Sequence, residues 1–226
     1  LAFSENKMNI VILAAGMGKR MHSRLPKVLQ PIAGRPMIDH VLDASEGLSA
    51  SPRVVVVGHA AENVMEHLAD RSDVTFALQS PQLGTGHALR QALGQLDRNE
   101  PKTLVCLGDV PLLSRRTLEA IAREAETSDL VLLTVELDNP TGYGRILRNP
   151  AGFVRAIVEE KDASPEERRV REVNTGIMCL PTSRLDGWLS SLKAANAQGE
   201  YYLTDVIGLA ADEGLRITTV HPEHAW

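Results

Sequence analysis

The feature that most constrains this chain is a rhythm of short, uniformly apolar runs. NIVIL at residues 9–13, VVVV at 54–57, TLVCL at 103–107 and LVLLTV at 130–135 scarcely alternate apolar with polar residues. A strand with one wet face alternates, whereas a strand covered on both faces does not. Strands are therefore predicted at Ile10–Leu13, Val54–Val57, Val74–Gln79, Thr103–Leu107 and Leu130–Val135. Helix-period segments separate them: Met37–Ala44, apolar at 37, 38, 41 and 42, then Ala60–Leu68 and His87–Leu96. Ser114 reads as the N-cap of a helix over RRTLEAIAREAE. This β-α-β-α order predicts an α/β fold with a Rossmann-like, doubly wound, mostly parallel sheet.

Past residue 137 the rhythm loosens. NPTGYGRI and LRNPAGFVRAIVEEKDA are turn-rich and read as hairpin material. EVNTGIMCLP reads as a strand, Leu185–Ala195 and TDVIGLAADEG as helices with Gly214 as a stop, and LRITTV as a last strand. No repeat or linker is visible. Residues 8–226 are expected to form one domain. LAFSENK at 1–7 reads as a leader preceding a natural start at Met8.

The 226 residues suffice to bury roughly 70% of the unfolded surface without a disulfide or metal staple. The net charge of −5, with no basic block, argues against nucleic acid as the ligand. Cys106 and Cys179 both fall in predicted strands and read as inert core thiols of a reduced, cytoplasmic protein. There is no run of about 20 apolar residues and no signal-peptide pattern, so no membrane insertion is expected.

The first strand runs straight into LAAGMGKRM, residues 13–21. A Walker A loop would need GxxxxGK followed by Ser or Thr, and a dinucleotide fingerprint a third glycine where Met21 stands. Neither is present. A strand-to-helix turn with Gly16, Gly18, Lys19 and Arg20 still suits an anion, because its backbone N–H groups converge there. A tight βα turn with solvated cations is the competing reading. Lys27, set between Pro26 and apolar neighbours, is either a surface lysine or a point charge aimed at phosphate. Pro26 and Pro31 are expected to hold this segment extended, and Pro36 to sit near the first position of the next helix.

Gln79 ends a predicted strand, where ligands of open α/β sheets bind. Its carboxamide offers a donor and an acceptor, the complement of uracil O4 and N3–H. Gly84-Thr85-Gly86 would let the backbone approach a flat ring; Thr85 as a helix cap is the alternative. Asp109, after a buried strand and Gly108, is a natural Mg2+ ligand beside a phosphate loop. Tyr143 and Gly144 lie in TGYGR. Glu159 and Asn174 have the chemistry to hold sugar hydroxyls, although a surface acid is the plainer reading of Glu159 alone. Lys161 and Asp162 fit either a salt bridge or a pocket lining. No serine or cysteine nucleophile pairs with a base, and no histidines have zinc spacing.

LAAGMGKRM, LPKVL, Q(x)4GTGHA, GDVPLL, PTGYGRI, VEEKDA, VNTGI and GEYYLTDVI, in this order over residues 8–226, resemble the uridylyltransferase domain of the bacterial bifunctional N-acetylglucosamine-1-phosphate uridylyltransferase/glucosamine-1-phosphate acetyltransferases. LAAGxGxRM with LPK is common to many nucleotidyltransferases; GTGHA, PTGYGRI, NTGI and GEYYLTD point to this family. The resemblance implies a nucleotidyltransferase fold and Mg2+-assisted transfer of UMP from UTP to N-acetylglucosamine 1-phosphate, with pyrophosphate leaving. The product would feed peptidoglycan and lipopolysaccharide precursor synthesis.

It also implies residue roles. Leu13, Ala14, Ala15, Gly16, Lys27, Gln79, Gly84, Thr85, Leu107, Gly108 and Asp109 would hold the nucleotide. Gly144, Glu159 and Asn174 would hold the sugar, with Tyr202 and Thr204 nearby. Arg20, Lys27 and Asp109 would serve catalysis, and Asp109 the metal. Leu107 stands where the family usually has an aromatic residue. The family's second metal ligand is expected just past residue 226, and its β-helix with acetyltransferase activity is not in this sequence. The chain is thus expected to be a truncated form, monomeric where the full-length family is trimeric through that β-helix. Another nucleotidyltransferase of this fold, or a nucleotide-binding module without catalysis, stays open. A glycosyltransferase is disfavoured because no DxD motif ends a strand.

Overall fold

In the computed structural model, residues 7–18, 21, 23, 25–48 and 51–222 are described. Their strands are β1 (Asn9–Leu13), β2 (Pro31–Ile32), β3 (Arg35–Pro36), β4 (Arg53–Val57), β5 (Val74–Leu78), β6 (Lys102–Leu107), β7 (Leu130–Glu136), β8 (Arg145–Arg148), β9 (Val154–Val158), β10 (Glu172–Pro181) and β11 (Ile217–Val220). Their α-helices are α1 (Met37–Ala44), α2 (Ala61–His67), α3 (Thr85–Ala92), α4 (Arg115–Glu124), α5 (Leu185–Ser191) and α6 (Asp205–Asp212).

The main sheet runs β11-β7-β10-β6-β1-β4-β5, and the β8–β9 hairpin hangs from β10. β5, β4, β1 and β6 are mutually parallel, as are β7 and β11. β10 is antiparallel to both of its neighbours. The uniformly apolar runs are explained by two cores, one on each face. Val54 and Val56 enter one with Val11 and Leu13; Val55 and Val57 enter the other with Ile10 and Ile12. The first face is covered by α3, α5 and α6, the second by α1, α2 and α4. Each such buried side chain contributes about 1.5–3 kcal/mol. Cys106 and Cys179 are fully buried, and burial pushes both thiols up to about 12. Ser114 caps α4 as expected, its hydroxyl accepting from the Thr117 N–H at 3.2 Å.

Three local expectations change. The Pro26–Pro31 segment is not simply extended: Lys27–Leu29 close a single 3-10 turn. Pro36 pairs in a small β2–β3 hairpin, turned by Ala33 and Gly34 at positive φ, and caps α1 rather than starting it. α5 ends at Ser191, because Leu192 adopts an extended backbone. The loop that follows is organised by Asn196, whose side-chain oxygen accepts from the Gln198 and Glu200 N–H groups.

Candidate functional site

β1 connects to β4 and β5 on one side, and the chain then returns to β6 on the other. Where neighbouring connections diverge, a crevice opens at the carboxyl ends of the strands. Leu13 and Leu107 are register partners at that edge, and the Gly108 N–H donates to the Leu13 carbonyl at 2.9 Å. A cavity of about 880 Å³ opens there, of a size that accommodates a small organic ligand. Leu13, Ala14, Ala15, Gly16, Lys27, Gln79, Gly84, Thr85, Leu107 and Asp109 all line it. Gly108 lies behind this wall. Arg20 and Lys19 fall outside the described residues.

The opening loop is fixed at its start, against β4 and the turn that follows it. The Ala14 N–H donates to Val56 and the His59 N–H to Ala15. Its two glycines differ in kind. Gly16 has open space where a side chain would stand, whereas Gly18 has φ +55° and a Cβ there would sit 2.9 Å from Lys27 Cβ. Gly18 therefore lets the Lys27 turn lie against the loop. Lys27, the second cation expected at the phosphate, forms an ion pair with Asp109 across the cavity floor.

Gln79 is buried, with its amide nitrogen donating to the Gly84 carbonyl at 2.9 Å and lying 3.1 Å from His87 Nδ1. Both amide hydrogens are thereby committed. The donor half of the expected base-reading pair is spent inside the protein, leaving Oε1. The glycines of GTG serve a different approach from the one expected: a Cβ on Gly84 would lie 2.6 Å from the Tyr201 carbonyl, and one on Gly86 2.4 Å from Leu192 Cδ1. The Tyr201 N–H donates to Leu83 and the Gly86 N–H to Tyr201, both at 2.8 Å. Thr85 is not a cap; its hydroxyl accepts from the Leu203 N–H at 3.0 Å. GTGHA and GEYYLTD thus form one backbone-to-backbone seam.

A second cavity of about 250 Å³ shares Leu13, Thr85, Leu107, Gly142 and Glu159 with the first, so the two form one cleft. Gly144, Glu159, Asn174 and Thr204 line it. Tyr202 does not reach either cavity; it is buried, with its hydroxyl bonded to Gln198. Tyr143 stands in the wall instead. Burial, with the like charges of Asp205 and Asp162, raises the Glu159 pKa, while the Thr204 hydroxyl, donating to it at 3.0 Å, works the other way. Asn174 Oδ1 accepts from the Gly176 N–H in a bulge of β10. The loop before β8 is tied down by Glu160, which accepts from the Gly142 N–H and from buried Arg145; that guanidinium holds the Glu160 carboxyl below its usual range.

Sequence reasoning missed Gln82, Gln198, Glu200 and Glu160 in the wider cavity wall. Gln198 also accepts from Lys161 at 2.8 Å, which resolves that lysine as cavity lining. The available signal was NAQGE, an Asn and Gly turn cluster a few residues beyond α5.

Among the described residues no group of three or more histidine, cysteine or acidic side chains converges on one point. Magnesium does not require one, since it takes one or two carboxylates and completes its shell with substrate phosphates and water. Asp109, partly exposed in the wide cavity beside Lys27, fits that donor set.

The model of the MobA-like NTP transferase domain matches residues 10–176. The chain belongs to that family. Within it, the sequence is 58% identical over 219 residues to the bifunctional protein GlmU of Cupriavidus pinatubonensis, covering 97% of this chain and 48% of that protein. It is 60% identical over 216 residues to the bifunctional protein GlmU of an Azoarcus species, covering 96% and 47%. The chain spans about half the length of the curated relatives it matches. The NTP transferase fold is shared with a putative glucose-1-phosphate thymidylyltransferase from Bacillus anthracis, at TM-score 0.76, 20% identity and coverage of 97% and 88%. A UDP-glucose pyrophosphorylase shares it at TM-score 0.72, 17% identity and coverage of 92% and 88%. No helix among the described residues is long and apolar enough to cross a membrane.

Proposed function

We propose that residues 8–226 act as one uridylyltransferase domain, moving UMP from UTP to N-acetylglucosamine 1-phosphate and releasing pyrophosphate. The observation that carries this is the paired cleft: a wide compartment lined by Lys27, Asp109 and Gln79, continuous with a narrow one lined by Glu159, Asn174 and Thr204. The bifunctional relatives support the choice of substrates. A cytoplasmic location and a trimer built by a further domain belong to the same reading.

In this mechanism an oxygen of the sugar phosphate attacks the α-phosphorus of UTP. The bond to the bridging oxygen breaks, and pyrophosphate leaves on the opposite side. Two anions must be brought together, so the protein's work is alignment and neutralisation. Lys27 offsets phosphate charge; Gln79 and the Gly84 loop seat the base; Glu159, Asn174 and Gly144 orient the sugar. Arg20 joins Lys27 in this scheme on sequence position alone. Asp109 would hold Mg2+, which would supply Lewis-acid neutralisation of phosphate charge. Lys27 would leave Asp109 for the phosphates as the nucleotide arrives, and the freed carboxylate would hold the metal.

A pyrophosphate-release assay across a panel of sugar phosphates and nucleotides tests the reading. Release is expected with UTP, N-acetylglucosamine 1-phosphate and Mg2+ together. Equal turnover with glucose 1-phosphate or CTP defeats the substrate assignment, while leaving nucleotidyl transfer intact.

A further inference from the structure

His87 is an odd residue for its place. It sits on the buried face of α3 beside Ala88, Leu89 and Ala92, and is only 7% exposed. Its ring touches two carboxamides. Nδ1 lies 3.1 Å from the Gln79 amide nitrogen, and Nε2 lies 3.1 Å from that of Gln91. Tyr201 stands beside the ring at a centroid distance of 6.5 Å, and the Arg90 guanidinium lies over the Tyr201 ring at 5.8 Å. Burial, and then Arg90, lower the His87 pKa, so the ring is neutral and has an acceptor to offer Gln79.

Gln79 is 3% exposed and can be seated in two ways, with its oxygen or its NH2 group toward the protein. The Gly84 carbonyl and His87 Nδ1 are both acceptors, and both take hydrogens. Turning the amide over would set Oε1 against the Gly84 carbonyl and, in the Nε2–H tautomer, against the lone pair of His87 Nδ1, a buried mismatch at both contacts. The seat that remains shows the cleft an acceptor alone.

We infer that His87 is a positioning residue that locks the Gln79 amide with its oxygen as the cleft-facing atom, and so makes the site select a pyrimidine bearing N3–H over one with a bare N3. This deepens the proposed uridylyl transfer and rests on it. Uracil presents N3–H to that oxygen; cytosine presents a lone pair there, and an oxygen facing it gains no bond. Gln91 steadies the ring from the other side: only half-buried, it turns its oxygen to the Nε2–H tautomer at the cost of its 3.2 Å bond to the His87 carbonyl, a loss that solvent makes good there and cannot at buried Gln79.

The test is steady-state pyrophosphate release by the purified chain with varied UTP or CTP, at saturating N-acetylglucosamine 1-phosphate and Mg2+, for wild type, His87→Leu and His87→Asn. His87→Leu removes the acceptor. It should raise the UTP KM, leave kcat nearly unchanged, and bring CTP roughly tenfold closer to UTP in kcat/KM, about the worth of one hydrogen bond. His87→Asn keeps an acceptor oxygen near the place of Nδ1 and should hold the wild-type ratio. An unchanged CTP:UTP ratio in His87→Leu overturns the inference, as does an equal shift in both variants, which packing alone would produce. Should His87→Leu fail to fold, Gln91→Leu carries the test: the ratio should move in the same direction by a smaller factor, and a fixed ratio overturns the inference. Wild type that turns over neither nucleotide defeats the underlying function and this inference with it; wild type active on UTP with a fixed ratio in the variants defeats the inference alone.

Discussion

At the wide compartment the chain presents strand ends and a cation paired with a carboxylate; at the narrow one it presents a carboxylate whose perturbing neighbours are acids. Lys27 and Asp109 are joined directly, so each arrives at a ligand already charged and compensated. Glu159 lies instead beside Asp205 and Asp162, softened by one hydroxyl from Thr204. The first arrangement suits a phosphate and a metal, whose charges replace the internal partner. The second suits neutral hydroxyls, which donate to a carboxylate without adding charge. The difference teaches that one cleft can divide its labour by electrostatics: charge exchange on one wall, directional hydrogen bonding on the other.

The comparison can be broken experimentally, and the largest effect is expected at its charged wall. Lys27→Ala should lower kcat/KM by roughly 10²–10³, the scale of losing a donor to developing charge, while thermal unfolding moves little, since the pair is partly exposed. Loss of activity in parallel with loss of fold would make Lys27 structural.

Glu159→Gln should act on the other wall alone. The KM for the sugar phosphate should rise about 10- to 100-fold, the worth of hydrogen bonds to a charged group, with the UTP KM unmoved. Its raised pKa also fixes a pH signature. Glu159 favours folding when protonated; that contribution is complete below the ordinary carboxylate value and is lost as pH rises through the raised folded value. Glu159→Gln should therefore raise the melting temperature at neutral pH, by a margin that shrinks as the solution is acidified. A variant less stable than wild type at neutral pH would contradict the buried-charge account.

The smallest effect is expected from Thr204→Val, which deletes the one bond favouring the charged form of Glu159. The sugar-phosphate KM should rise several-fold, for about 1 kcal/mol, and the acid limb of the kcat/KM profile should move to higher pH. A limb that stays put would sever Thr204 from Glu159.

The wide compartment was largely legible in the sequence, for a physical reason. Parallel strands buried on both faces advertise themselves as unbroken apolar runs, and their carboxyl ends are where such sheets bind ligands. Gln79 was singled out by that rule, Asp109 by the rule together with the glycine loop beside it, and Leu13 by the resemblance. The narrow compartment was not legible this way. Glu159 and Asn174 gained meaning from a family resemblance, because their partners come from distant segments and no local pattern reports a bond from Thr204. Gln198 and Glu200 carry no local signature of a site; they reach the cavity because Asn196 turns their loop by accepting from their backbone N–H groups. Tyr202 was placed in the right seam but with its side chain on the wrong side of it. The glycines of GTGHA were recognised as sites of close approach, and the neighbour turned out to be the chain itself.

β10 is the strand that runs against its neighbours. A parallel strand can bring only its last residues to the ligand edge; β10 brings its first, Glu172 to Asn174, and passes through the bulge into the core afterwards. The β8–β9 hairpin pairs with it at that edge, through Val173 and Arg145. In the proposed function, the wall that would face the acceptor is therefore built from material that enters the sheet at the cleft, without threading the strands that would hold the nucleotide. In such an arrangement the hairpin can be lengthened, shortened or rewritten as an exchangeable faceplate, and acceptor choice can change while the grip beneath it stays the same.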